Sequence, residues 1–314
     1  MITENFLDLD TAYLLGLIVI RGRLVETGGD HRIVIAFPSK NLLVTGVTLK
    51  FDQKKHLRLG ANQIRDRLND LLGTGIEVRE SGKDIQFLVR FLGSNMIWRN
   101  LCHLLGTARS YTEFSVPNSL MDAPEQLKTE FMRGVADAGG FIRDSNNYMG
   151  LKRRVYLEVN NRNWVLPIQL CKILQKDLRV PVQLIQWGHP NTRTPGVSHG
   201  KSWAKEQQIK IFAEHFIKVG FYIDYKQKIL EEFVKADSKL NQKLPPFCNP
   251  NAKIRRLVKK PKHADESSNY LPGRIRGKHF DAYWQICLAM GCEQCVEAPQ
   301  EELFEIDEAP ETHR

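Results

Sequence analysis

Two groups of residues in this chain have types and spacings that suit chemistry. Cys287-x4-Cys292-x2-Cys295, completed by Cys248 or His279, would offer four tetrahedral ligands to structural Zn, with free thiols as the alternative. The other group is basic and polar, recurring at alternate positions of strand-like runs around Arg23, Arg79, Arg143 and Lys205. Arginine grips phosphate or reads guanine, and glutamine reads adenine, so such faces suit a nucleic acid. The overall charge agrees. The net charge is +9, yet residues 296–314 hold seven acids and one base, leaving 44 basic residues against 29 acidic, a net +15, over the first 295. A strongly basic body favours a polyanion, because neutralising phosphates releases counterions.

The elements that would position these residues fall into two similar series. Ala12–Arg23 and Glu130–Phe141 are apolar helical segments, each with an internal glycine (Gly16, Gly134) and another six residues on (Gly22, Gly140), after which the period changes from helix to strand. Helices that touch along their length need small residues where the backbones meet, which makes Gly16 and Gly134 the expected contact between them. Asp10 or Thr11 is placed to cap the first helix, over residues 10–20. Alternating runs at 23–27 and 32–37 make a hairpin, a helix follows over 61–72, a second hairpin pairs 76–80 with 85–91, and a helix over 95–105 ends at Gly106. After a connector, the order returns: a helix at 125–138, strands at 141–143 and 154–159, a helix at 164–178, strands at 182–187 and 207–212, and helix over 214–237 interrupted near Gly220.

Leu14-Leu-Gly-Leu-Ile-Val-Ile-Arg-Gly22 and Arg133-Gly-Val-Ala-Asp-Ala-Gly-Gly140 resemble degenerate copies of the LAGLIDADG motif of homing endonucleases. The resemblance spans about residues 6–240. It implies an α+β fold in which two αββαββα repeats pack through their motif helices, with internal pseudo-two-fold symmetry in a monomer. It also implies that the last acid of each motif holds Mg²⁺ for cutting DNA. Arg21 and Gly139 stand at those positions, so cleavage is expected to be lost. The earlier acid is Val19 in one copy and Asp137 in the other, where Asp137 is either a remnant ligand or a cap on nearby backbone. Glu26 and Asp144 follow the motifs and could act as displaced acids, although alternation puts Glu26 with Leu24 on the helix side.

The same alternation gives the expected DNA-reading surface. Arg23, Val25, Thr27, Arg32 and Val34 face outward in the first unit, and Phe141, Arg143, Ser145, Arg154, Tyr156 and Glu158 in the second, with Lys152 and Arg153 nearby. Arg79, Gln86, Gln183, Lys205, Gln208 and Lys210 are candidates on the second hairpins, and Arg21 could itself meet phosphate. The polar loop 188–201, with Arg193 and Lys201, could order over the backbone of a duplex.

The expected organisation is a first repeat at 1–106, a connector at 107–124, a second repeat at 125–240, a basic cysteine-containing extension at 241–296 and an acidic tail at 297–314. No run is long and apolar enough for a membrane span, and the opening residues, with Glu4, Asn5 and Asp8, lack the pattern of a secretory signal. Six unevenly placed cysteines fit a reducing compartment, cytoplasmic or an organellar stroma or matrix. The function expected is binding of double-stranded DNA. The alternatives are an active endonuclease with a rearranged metal site, a maturase binding intron RNA, and a transcription regulator or restriction-associated protein on the same scaffold.

Overall fold

The first helix, α1 (Leu9–Arg21), starts at Asp8, whose carboxylate accepts from the Thr11 amide at 2.7 Å. The cap is therefore Asp8 rather than Asp10 or Thr11. From Ala12 to Arg21 every side chain of α1 is buried, as expected of a helix apolar all round. The computed structural model describes residues 7–42, 53–81, 84–92, 95–143, 153–160, 162–163, 165–182, 184–189 and 206–237.

Gly22 lets α1 pass directly into β1 (Gly22–Thr27), which turns at Gly28–Gly29 into β2 (Asp30–Pro38). A short helix, α2 (Ser39–Leu42), precedes α3 (Gln53–Leu72), β3 (Ile76–Ser81), β4 (Asp84–Phe91) and α4 (Met96–Leu105). Helix α3 begins at Gln53 instead of 61. Its first two turns are polar and give no apolar period to detect.

The second series runs α5 (Asn118–Met121), α6 (Glu125–Gly139), β5 (Gly140–Arg143), β6 (Arg154–Asn160) and α7 (Val165–Lys172), which widens into a π-helical turn over Ile173–Asp177. It continues with β7 (Leu184–His189), β8 (Glu206–Phe212), α8 (Ala213–Phe216) and α9 (Asp224–Asp237).

The strands form two antiparallel sheets with matching order, β1-β2-β4-β3 and β5-β6-β8-β7. Register puts apolar residues opposite one another on each helix-facing side, with Leu24 opposite Ile33, Ile35 opposite Phe87 and Leu157 opposite Ile209. These pack on α1 and α6, which lie against each other at the centre. The connector covers the free edge of β1: Leu24 N–H donates to Arg109 O and Tyr111 N–H to Gly22 O, both at 2.9 Å. It is then pinned to the second unit by the Val116 amide on Gln169 Oε1 at 2.8 Å and by Asn163 Nδ2 on Phe114 O at 2.7 Å. Among the described residues no helix is long and apolar enough to cross a membrane.

Candidate nucleic-acid interface

The outward face of the first sheet is open and rich in arginine. Arg23, Thr27, Arg79 and Arg90 are exposed there, and Arg32 and Gln86 half-buried. Register gathers them: Arg32 lies opposite Arg90 and Val25, and Gln86 opposite Arg79 and Ala36. The carboxylates among them are few. Glu77 takes Arg79 and, at 3.4 Å, Arg90, while Asp30 lies 3.5 Å from Arg32. Arg79 holds the Glu77 carboxyl below its ordinary range. Ion pairs this exposed are weak, and a phosphate could displace them.

The second sheet differs. Arg143, Arg154, Tyr156, Gln208 and Lys210 do lie on the side away from the helices, but Tyr156 and Gln208 are each only 2% exposed and Arg154 4%, instead of forming an open reading surface. Phe141 and Tyr156 stack in parallel with centroids 5.0 Å apart, and the guanidinium of Arg143 sits 4.5 Å above Tyr156. Burial, then Arg154 and Arg143, push the Lys210 amine down to about 8. Arg153 is tied to α9, donating from its amide and its Nη1 to Asp237, both at 2.8 Å.

At the end of α1, where the first sheet's hairpin meets β6 and β8 of the second sheet, lies a cluster of four charges: Arg21, Glu158 and Glu206 are buried and Lys40 is exposed. Lys40 Nζ stands 2.8 Å from both Glu206 oxygens and 2.8 Å from Glu158 Oε2. Arg21 Nη2 lies 3.5 Å from Glu158 and 3.8 Å from Glu206. Gln208 Nε2 donates to Glu158 Oε1 at 3.0 Å. Burial and then Glu206 raise the Glu158 carboxyl to about 7, while the Glu206 carboxyl is lowered because Arg21, the hydrogen bond with Glu158 and Lys40 together outweigh its own burial.

This cluster occupies the place where the LAGLIDADG resemblance puts a metal, and its residues do not fit one. Arg21 replaces an acid with a cation. At Gly139 even a Cβ would come within 2.5 Å of Ile20 Cγ1, so a longer acid could not enter without displacing the Ile20 side chain from the helix contact. The Lys40 ammonium already bridges the two carboxylates. Among the described residues no group of three His, Cys, Asp or Glu side chains is arranged to hold a metal ion.

Asp137 lies on the other side of the α6 terminus, fully buried, accepting from Tyr13 Oη at 2.9 Å and from the Tyr222 amide at 3.1 Å. Lys226, also fully buried, donates to the carbonyls of Ala136, Asp137 and Gly140, satisfying the open C-terminus of α6. Asp137 is thus bound up in joining α6 to the 222–226 segment and α1. Glu26 is on the helix side of its sheet, near the Cys102 thiol at 3.8 Å.

Asp144, Ser145, Lys152, Gln183, Arg193, Lys201, Lys205 and the zinc candidates Cys248, His279, Cys287, Cys292 and Cys295 lie outside the described residues. Sequence reading missed Lys40, Glu206 and the pairing of Glu158. They come from positions 40, 206 and 158 and meet only through the sheet register and the fold of α2 onto α6.

Two glycine-notched helices, each running straight into an antiparallel sheet of the same strand order, form the LAGLIDADG-like architecture implied by the motifs. No family model matches the chain, and no curated protein matches it. Among solved structures it is similar to a variant of the homing endonuclease I-DmoI in complex with its target DNA and manganese, at 19% identity over 68% of this chain and 92% of that one, with a TM-score of 0.39. It is also similar to full-length DUF199/WhiA from Thermatoga maritima, at 12% identity over 78% of this chain and 64% of that one, TM-score 0.41. The N-terminal LAGLIDADG domain of DUF199/WhiA follows at 14% identity over 74% and 86%, TM-score 0.36.

Proposed function

We propose that this chain binds double-stranded DNA through the outward face of its first sheet and has lost metal-dependent cleavage at the motif positions. The supporting observation is one surface: Arg23, Arg32, Arg79 and Arg90 converge on an antiparallel sheet whose shape suits a major groove. The loss of cleavage draws on Arg21 and Lys40 standing against the carboxylates of Glu158 and Glu206 at the end of α1, where they repel a divalent cation.

A second reading has one observation in its favour. Glu158 and Glu206 bring two carboxylates to the end of α1, so a nuclease with a rearranged metal site would draw on them. A maturase binding intron RNA would use the same basic face with a different partner, and a regulator would use it without any cleavage.

One set of measurements separates these. Fluorescence anisotropy with duplex DNA, single strands and structured intron RNA, over a range of salt, should show duplex favoured and an affinity that falls steeply with salt. Preference for the RNA would replace DNA binding with the maturase reading. Nicking of plasmid in Mg²⁺ or Mn²⁺, abolished by Glu158→Gln, would establish the nuclease.

A further inference from the structure

The four-charge cluster is built more like a latch than a static core ion pair. Arg21 is almost fully buried, yet its Nε and Nη2 make no hydrogen bond, and its carboxylate neighbours stay at 3.5 and 3.8 Å. Buried guanidinium nitrogens normally find acceptors, so Arg21 has capacity left for one. Lys40 is the accessible member, its side chain 40% exposed. Arg21 immediately precedes β1 and Lys40 follows β2, at the same end of the first hairpin, and their partners Glu158 and Glu206 belong to the second sheet, so the cluster stands where the two sheets meet. A duplex bound on the first sheet, as proposed above, would lie close to both cations, since they flank β1 and β2.

We propose that the cluster is a phosphate exchange site: Arg21 and Lys40, held by Glu158 and Glu206 in the free chain, transfer to a backbone phosphate of bound duplex, and the carboxylate pair left behind takes up a proton. This deepens the DNA-binding function proposed above and rests on it. The proton follows from charge. Two adjacent buried carboxylates stripped of both counter-cations cannot remain ionised together, so one takes a proton from solvent. The free chain is already close to that state, since the Glu158 carboxyl stands at about 7 with Lys40 and Arg21 holding it down. The charged or polar groups facing Glu158 are Arg21 from α1, Lys40 from α2, and Glu206 and Gln208 from β8. His189 lies opposite Glu206 in the ladder, so it is given its own control.

The sign is fixed. The complex holds more protons than the free chain, so affinity is flat below about pH 6, where Glu158 is protonated in both states, and falls as pH rises through about 7. For one whole proton the fall is up to about tenfold per pH unit.

The test uses the full-length chain and a labelled duplex. Calorimetric titration in two buffers of different ionisation enthalpy should show proton uptake near neutral pH in the unaltered protein; zero uptake overturns the proposal. Anisotropy across the same pH range should show a flat profile for Glu158→Gln, with tighter binding than the parent at about pH 8. Lys40→Gln, at a partly exposed position, should lower the salt slope by about 1. His189→Gln should keep the parental pH profile. An unaltered pH profile in Glu158→Gln, an unaltered salt slope in Lys40→Gln, or a flat profile in His189→Gln would each overturn it. No duplex binding even at low salt would instead reject the proposed function. Binding without proton uptake rejects the exchange site alone.

Discussion

Gly16 and Gly134 are each other's clearance. A Cβ on Gly16 would lie 2.1 Å from Phe131 O and 2.8 Å from Val135 N, and one on Gly134 would lie 2.1 Å from Tyr13 O. The obstacles are backbone atoms of the facing helix, which cannot rotate aside. Alanine at either position therefore has to push α1 and α6 apart, and leucine more so. We expect Gly134→Ala to lower stability by about 2 kcal/mol and Gly16→Leu to prevent folding or lower stability by more than ~3 kcal/mol. Urea unfolding checks both; an unchanged midpoint for Gly16→Leu is incompatible with the packing described.

That contact was legible in the sequence because its cause is steric and local: only glycine at matching places in two apolar helices allows it. Strand alternation was legible for a similar reason, and it assigned Leu24, Ile33, Leu157 and Val155 to the helix side, where they lie. Alternation says which side of a sheet a residue takes but not what covers that side, so the burial of Arg154, Tyr156 and Gln208 left no trace in the pattern. The first turns of α3 escaped because Lys54, Lys55, His56 and Arg58 interrupt any apolar period. Lys40 escaped because it sits in a four-residue helix just past Pro38. Its partners, Glu158 and Glu206, lie more than a hundred residues away.

Arg67 links α3 to the central pair in a way that lysine cannot copy. Its guanidinium lies 4.1 Å from the ring centre of Tyr13 and 4.5 Å from that of Tyr222, while Nε donates to Asp10 at 2.7 Å and Nη2 to Glu130 at 2.9 Å. A planar fork fills both roles together; an ammonium has neither the flat face nor the geometry. Arg67→Ala leaves Glu130 buried without this partner and should lower stability by about 3 kcal/mol, with Arg67→Lys recovering less than half. Chemical denaturation of the two variants checks the ordering, and full rescue by lysine contradicts it.

Stability should respond to pH with two opposite slopes. Glu158 has its folded carboxyl raised to about 7, so the native state binds the extra proton, and the stability this contributes is lost as pH rises through about 7. Lys226 is the reverse case. Burial, partly offset by Asp137, lowers its amine to about 8, so above that value the unfolded chain binds more protons and stability rises with pH. Lys210, also lowered to about 8, adds to the rise. Burial raises the Tyr13 and Tyr225 hydroxyls, which reverses the rise once unfolded tyrosines ionise, near about pH 10. Thermal melts should therefore show a shallow minimum between the two slopes. Glu158→Gln should remove the downward limb and Lys226→Met should weaken the upward one; a downward limb that survives in Glu158→Gln assigns it elsewhere.

The two sheets should contribute unequally to binding, although their strand orders match. On the first, among the described residues Arg32 pairs with Asp30 and Arg79 with Glu77, in solvent-accessible pairs that a phosphate replaces at little cost. On the second, the Arg143 guanidinium is placed over Tyr156, itself stacked on Phe141, and Lys210 lies 5.5 Å from the same ring. Recruiting those groups to DNA would first require exposing a packed aromatic pair. Arg32→Ala and Arg79→Ala should each weaken duplex binding severalfold and lower the salt slope by about 1, whereas Arg143→Ala should change affinity by less than about twofold while lowering the melting temperature. Anisotropy titrations at two salt concentrations, with a melt of each variant, read both effects. Equal losses of affinity from the two sheets would mean that the second face opens on binding and that the duplex spans both.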